Sequence, residues 1–175
     1  MTPYVIRQAT VADAAAIAVH RAAMFADMGR IHDDATRATL IAETHEFLQR
    51  AMPAEEYLAW LAVDVNKPTS IVGGAGVHRR QTMPFPKRSS YGAMLNIAGS
   101  AAPTGVAQGR QAIVMNVYTH PSWRRLGVAR ELMETIIAWA RACPLDSLVL
   151  HASSEGRALY ESLGFVGTNE MGMIP

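Results

Sequence analysis

Cysteine is almost absent from the sequence. Cys143 is the single one, so no disulfide can form within the chain. No Cys/His cluster has the spacing of a zinc site, so we expect no metal. No apolar run is long enough to span a bilayer, and residues 1–8 lack the basic start and apolar run of a secretion signal. These absences predict a cytoplasmic protein that does not act at a membrane.

An excess of charge of one sign is also missing. The formal net charge is +1 over 175 residues, which gives no reason to expect nucleic acid as a partner. Half of the residues are hydrophobic and 18% are charged, as is usual for a globular protein. We predict a single domain over residues 1–175. Residues 81–110 are rich in Pro, Gly, Ser and Ala and are predicted to form a long loop insertion.

Strands and helices alternate along the chain. Hydrophobic periodicity and breaker residues predict strands over 4–9, 60–65, 70–78, 111–119 and 147–151 and helices over 10–28, 36–51, 124–142 and 155–163, with a final strand or hairpin over 165–173. A strand, helix, strand, helix, strand order in the second half implies a sheet covered by helices. The fold class is therefore α/β or α+β.

The stretch Arg124-Arg125-Leu126-Gly127-Val128-Ala129 lies between an apolar strand and a strongly amphipathic helix. The first turn of a helix has backbone N–H groups without intrahelical partners, and the helix dipole adds partial positive charge there. Such a turn can bind a phosphate or pyrophosphate. The alternative interpretation is an ordinary turn and helix start with solvated arginines. The chain has neither G-x-G-x-x-G nor G-K-[ST], which excludes the Rossmann and P-loop fingerprints.

Two motifs carry a specific resemblance. The pattern Arg-x-x-Gly-x-Ala at 124–129, after a strand ending Val-Tyr-Thr-His-Pro, resembles motif A of the GNAT superfamily of N-acetyltransferases. The run Ala-Leu-Tyr-Glu-Ser-Leu-Gly-Phe at 158–165 resembles the end of motif B. The resemblance covers residues 111–165, and the element order of the first half fits the family in outline.

The resemblance implies a fold and a cosubstrate. The fold would be a central mixed, mostly antiparallel sheet that splays in the middle and has helices on both faces. Acetyl-CoA would lie in the splay, with its pantetheine arm along residues 116–119 and its pyrophosphate on the amides of 126–129. Ser153 stands where the family often has an asparagine. The residues expected to bind acetyl-CoA are Val117, Tyr118, Thr119, Arg124, Arg125, Leu126, Gly127, Val128, Ala129, Arg130 and Ser153.

The resemblance also implies an activity, acetyl transfer from acetyl-CoA to a primary amine of a small molecule or peptide. Tyr160 holds the motif B position at which family members place a hydroxyl near the sulfur, so it is the predicted catalytic residue, donating to the departing thiolate. The oxyanion donor is expected to be a backbone N–H near Val117. The proton acceptor for the amine stays open between a water chain and several side chains: His78, His120, His151, Asp27 and Glu170.

The acceptor also stays open between an amino acid, a polyamine, an aminoglycoside-like compound and a protein amine. A non-catalytic acyl-CoA-binding sensor and a nucleotide-binding protein are the alternative functions. Family members often dimerise, which leaves a homodimer open. Met24, Phe25 and Met28 recur at helical spacing, which predicts core residues ahead of a substrate-pocket wall.

Overall fold

The computed structural model describes residues 3–86 and 105–168. Its strands are β1 Tyr4–Gln8, β2 Tyr57–Asp64, β3 Ile71–Gln81, β4 Phe85–Pro86, β5 Val106–Ala107, β6 Arg110–Thr119 and β7 Ser147–Leu150. Five of them form the main sheet in the order β1-β2-β3-β6-β7, and β4 and β5 form a separate pair. In the main sheet β1 pairs with β2, β2 with β3 and β3 with β6, all antiparallel, and β6 pairs with β7 in parallel. The sheet is thus mixed and mostly antiparallel, as predicted.

Helices cover both faces of the sheet because its strands alternate between two cores. Trp60 and Ala62 of β2 belong to one buried cluster, while Ala59, Leu61 and Val63 belong to the other. The helices are α1 Ala14–Asp27, α2 Asp34–Ala51, α3 Val128–Ala142 and α4 Arg157–Ser162. The first cluster includes residues of α3, and the second includes residues of α1 and α2.

The sheet splays between β6 and β7. Their parallel pairing ends at Val114 and Leu150, whereas β6 continues to Thr119. On its other side, β6 stays paired with β3 as far as Thr119. A register shift interrupts that pairing opposite Ala75, and Asn116 there has a φ of 59°. This β-bulge, at a residue type that tolerates positive φ, bends β6 at the start of its unpaired edge.

Several predicted boundaries were wrong. The predicted helix at 124–142 begins only at Val128, because Arg125 and Gly127 have φ angles of 66° and 86° that a right-handed helix excludes. The last predicted strand is also wrong at 165–166, which have no regular structure. Its remainder over 169–173 lies outside the described residues. So does most of the predicted insertion, although 81–86 and 105–110 contain strand residues.

Tyr57 is almost fully buried between β3 and α2, and its hydroxyl occupies the space that a Cβ on Gly76 would fill. Burial raises the pKa of Tyr57 to about 12, above its ordinary value of 10. A Cβ on Gly76 would lie 2.0 Å from the hydroxyl oxygen, so glycine is required there.

We expect the free energy of unfolding to fall between pH 10 and pH 12, and we expect Tyr57 to account for part of that fall. The unfolded chain loses the phenol proton near pH 10, while the folded chain keeps it until about pH 12. The loss amounts to roughly 2–3 kcal/mol across that window. Urea unfolding at pH 9, 10, 11 and 12 measures it. Tyr57→Phe should show a shallower decline, and an equal decline in both proteins would contradict the assignment.

Candidate active site

A cleft of about 1140 Å³ opens where β6 and β7 diverge. Its volume slightly exceeds the range of about 300–1,000 Å³ that is usual for drug-sized ligands. One wall is the unpaired edge of β6, and the opposite wall is the segment from the end of β7 to α4. Residues at the end of α1 and in the turn before α3 also line the cleft. The first helix and the second half of the chain therefore meet in this cleft.

The turn before α3 presents unused backbone donors to the cleft. The first intrahelical bond runs from Glu131 N to Gly127 O at 3.0 Å. Among the described residues, the amides of 125–130 donate to no acceptor. The left-handed conformations of Arg125 and Gly127 turn the chain sharply into the helix, a geometry that is typical of anion-binding amide nests. Gly127 and Ala129 line the cleft, so the approach to these amides is open.

The three arginines of the turn are held differently. Arg124 donates through Nη2 to the Asp27 carboxylate and through Nε to Thr119 O at 3.1 Å. Arg130 donates to Ser162 Oγ at 2.9 Å and lies 3.7 Å from Glu134. Arg125 is exposed and makes no ion pair with a described residue. Arg125 therefore carries the positive charge in this turn that no described carboxylate balances.

Tyr160 lies in the wall opposite β6. Its ring makes an edge contact with Phe165 at 6.2 Å between centroids and packs beside Gly156. Burial raises the pKa of the Tyr160 phenol above its ordinary value. The hydroxyl therefore stays protonated at neutral pH and is available as a donor. Ser153, in the same wall, accepts a hydrogen bond from Gly156 N at 3.2 Å through its Oγ.

Most residues predicted from the sequence meet in the cleft. The lining includes Val117, Tyr118, Thr119, Arg124, Arg125, Gly127, Ala129, Arg130, Ser153 and Tyr160. Leu126 and Val128 are absent from it. The Val128 side chain is buried in the core, and Leu126 accepts a hydrogen bond from Tyr4 Oη at 3.4 Å through its carbonyl. Any contribution of these two residues to the site would come from their backbone amides.

The candidate proton acceptors separate into two groups. Asp27 and His151 line the cleft, and Asp27 is bound to Arg124. His78 packs edge-on against Phe47 outside the cleft, and His120 contacts Ser122 Oγ at 2.8 Å, also outside it. Glu170 lies beyond the described residues. No group of three His, Cys, Asp or Glu side chains suited to a metal ion occurs within the described parts of the chain.

The prediction that Met24, Phe25 and Met28 are core residues was wrong. All three line the cleft, at the end of α1 and just beyond it. Helical spacing identifies one face of a helix, but it cannot tell whether that face meets a core or a cleft. Arg21 also lines the cleft from the same helix, although no sequence pattern pointed to it.

Three solved structures illustrate how far this fold is shared. A GCN5-related N-acetyltransferase from Ralstonia eutropha JMP134 matches with a TM-score of 0.77 at 23% identity, over 98% of each chain. A predicted acetyltransferase with acetyl-CoA from Clostridium acetobutylicum matches at 0.74 and 21%, over 98% of this chain and 96% of its own. Glucosamine-6-phosphate N-acetyltransferase from Arabidopsis thaliana matches at 0.64 and 10%, over 98% and 97%. These likenesses establish the fold.

A match to a family of acetyltransferases defines the class of protein as an acyltransferase. No curated protein matches the chain in sequence. The sequence model of the acetyltransferase (GNAT) family matches residues 25–165, and the chain belongs to that family. The family uses acetyl-CoA and acts on amine acceptors. No described helix is long and apolar enough to cross a membrane.

Proposed function

We propose that this protein is an N-acetyltransferase that moves an acetyl group directly from acetyl-CoA to a primary amine of a small molecule or peptide. The observation that carries the proposal is the convergence on one cleft of three features: an unpaired strand edge, a turn with unused amides and a half-buried phenol. Each supplies one requirement of thioester aminolysis, namely cosubstrate binding, anion binding and leaving-group stabilisation.

The binding half of the proposal rests on the turn and β6. The amides of 126–129 would hold the pyrophosphate, with Arg125 in the same turn supplying full charge. The unpaired edge of β6 beyond Val114 would pair with the amide groups of the pantetheine arm, as a neighbouring strand does. Ser153 would contribute its hydroxyl to the same arm from the opposite wall.

The chemical half rests on the bulge and on Tyr160. A neutral amine attacks the thioester carbonyl, and a backbone N–H near Val117 would stabilise the charge that develops on its oxygen. The bulge at Asn116 interrupts the strand pairing of β6 next to Val117. Tyr160 would donate a hydrogen bond to the departing thiolate, because its phenol remains protonated.

Release of thiol from acetyl-CoA across a panel of amines tests the activity. The alternative, a non-catalytic acyl-CoA sensor, is favoured by the lack of any carboxylate on β6, Arg110–Thr119. Tight CoA binding without turnover on any amine would support the sensor. Turnover that requires Tyr160 would support the enzyme. Competition by ATP at concentrations comparable to CoA would indicate a nucleotide site instead.

Arg125→Gln is expected to weaken CoA binding more than Arg124→Gln does. Arg124 is already neutralised by Asp27, whereas the charge of Arg125 has no described carboxylate partner. We expect a loss of about three- to fivefold at low salt, shrinking as ionic strength rises. Calorimetric titration of CoA at two salt concentrations measures it. Arg141→Gln, at the far end of α3, is the control, and an equal loss in the control would contradict the assignment.

A further inference from the structure

Arg21 is a cation of the cleft to which the proposed acetyl transfer gives no role. It lies on α1, is half-buried and lines the cleft wall. Its guanidinium makes no ion pair with a described carboxylate, whereas Arg7, Arg110 and Arg124 each have one. A partly desolvated guanidinium without a counter-charge is unfavourable for the protein alone. Its placement favours an anion supplied by a ligand.

The guanidinium of Arg21 is held in place by a chain of hydrogen bonds that runs from α1 to β6 and on to β2. Arg21 Nη1 donates to Asn116 Oδ1, and Asn116 Nδ2 donates to Tyr57 Oη at 2.8 Å. Asn116 and Tyr57 are both buried, and the Tyr57 hydroxyl fits only because residue 76 is glycine. The guanidinium also lies over the Phe25 ring, 4.9 Å from its centroid. Fixing the side chain in advance lowers the entropy cost of binding a ligand.

The surroundings of Arg21 are positively charged. Arg30 lies over the same Phe25 ring, 6.0 Å from its centroid, and also lines the cleft. The described carboxylates of the lining are Asp27, which is bound to Arg124, and Glu155, which belongs to the opposite wall. The α1 end of the cleft therefore repels cations and attracts anions.

We infer that the acceptor is a small amine that carries an anionic group, a carboxylate or a phosphate, bound by Arg21. The inference rests on the proposed function. Arg21 contacts the bulged residue Asn116, which is next to Val117, where a backbone N–H is proposed to stabilise the thioester oxygen. An acceptor anchored on Arg21 would therefore present its amine to the acetyl carbon. The amine nitrogen forms the new N–C bond, the C–S bond breaks, and the proton lost by nitrogen ends on the CoA thiolate. The same charge argues against polyamines and other polycationic acceptors.

The test compares matched amines: β-alanine, β-alaninamide, 2-aminoethyl phosphate and putrescine. Thiol release from acetyl-CoA gives kcat/KM for each. We expect kcat/KM for β-alanine or 2-aminoethyl phosphate to exceed the values for both β-alaninamide, which lacks the anionic group, and putrescine, which has a second amine in its place. The expected factor is about tenfold or more, since a charge-assisted hydrogen bond contributes roughly 1.5–3 kcal/mol. The relative rates of the carboxylate and the phosphate identify the anion. Faster turnover of β-alaninamide or putrescine would overturn the inference and leave the acetyltransferase intact.

Variants connect the preference to Arg21. Arg21→Gln keeps a donor for Asn116 and should abolish the preference by raising KM for anionic amines. Tyr57→Phe removes the hydroxyl that positions Asn116 and, through it, Arg21. It should raise KM for anionic amines less than Arg21→Gln does and leave kcat nearly unchanged. Arg50→Gln is the matched control, because Arg50 also lies over a phenylalanine ring on a helix, at 5.4 Å, but outside the cleft. An unchanged preference in Arg21→Gln would overturn the inference.

A binding measurement separates failure of the inference from failure of the proposed function. Calorimetry with N-acetyl-β-alanine, N-acetyl-β-alaninamide and N-acetyl-2-aminoethyl phosphate on the CoA-loaded protein needs no turnover. Binding of an anionic product, weakened in Arg21→Gln, together with no thiol release would support the anion site and refute the transferase. Turnover with no preference for anionic amines in rate, and none for anionic products in binding, would support the transferase and refute the anion site.

Discussion

Replacing Gly127 with valine is expected to weaken CoA binding by about a hundredfold. Gly127 has a φ of 86°, and a Cβ built there meets only Tyr4 Oη, at 3.7 Å, so a branched side chain would stand in the open approach to the amides. Losing two amide bonds to the pyrophosphate, at roughly 1.5 kcal/mol each, gives this magnitude. Calorimetric titration with CoA measures the loss.

The same substitution strains the turn, so its control must carry equal strain. A β-branched residue at positive φ costs about 1–3 kcal/mol of stability. Gly164 has a φ of 91° with nothing within 4 Å of its Cβ position, and it does not line the cleft. Gly164→Val should therefore match Gly127→Val in urea unfolding but keep its CoA affinity. Equal CoA losses in the two variants would show that general destabilisation, rather than the turn, is responsible.

Replacing Tyr160 with phenylalanine is expected to lower kcat about a hundredfold while CoA affinity stays within about twofold. The variant keeps the ring, its edge contact with Phe165 and its burial, and loses only the donor to the thiolate. Steady-state kinetics and CoA titration measure the two effects. Glu161→Gln, the next residue on α4, is exposed and outside the cleft, and should retain full activity. A Tyr160→Phe enzyme with normal kcat would remove the phenol from the mechanism.

The pH profile gives a second check on Tyr160. Because burial raises its pKa, the phenol keeps its proton while the amine acceptor loses its own as pH rises. We therefore expect kcat/KM to increase with pH and to show no falling limb up to about pH 10, the ordinary pKa of a phenol. A decline that begins near pH 8 and is absent in Tyr160→Phe would contradict a protonated donor.

The parts of the site that follow one another in sequence were predictable. A strand, a glycine turn and an amphipathic helix are local patterns, so the turn at 124–129 and the position of Tyr160 could be read directly. The exact helix start could not be predicted, because nothing in the residue type of Arg125 indicates its left-handed conformation, with a φ of 66°.

The chain of hydrogen bonds behind Arg21 was not predictable. Arg21, Tyr57 and Asn116 come from a helix and two different strands, far apart along the chain. Each looks ordinary in its own element: an arginine on a helix, a tyrosine and an asparagine in strands. Only the strand order and the bulge bring them together, and one sequence contains no record of that pairing. Gly76, within a glycine-rich strand, was the available hint of a close contact.

The open edge of β6 has a consequence for handling the protein. Past Val114, the strand has no partner on its β7 side among the described residues, so its peptide groups form a template to which an extended segment of another molecule can add. A cosubstrate lying along that edge would occupy the template as well as serve the reaction. We expect concentrated preparations without CoA to self-associate, and saturating CoA to suppress that association and raise the melting temperature.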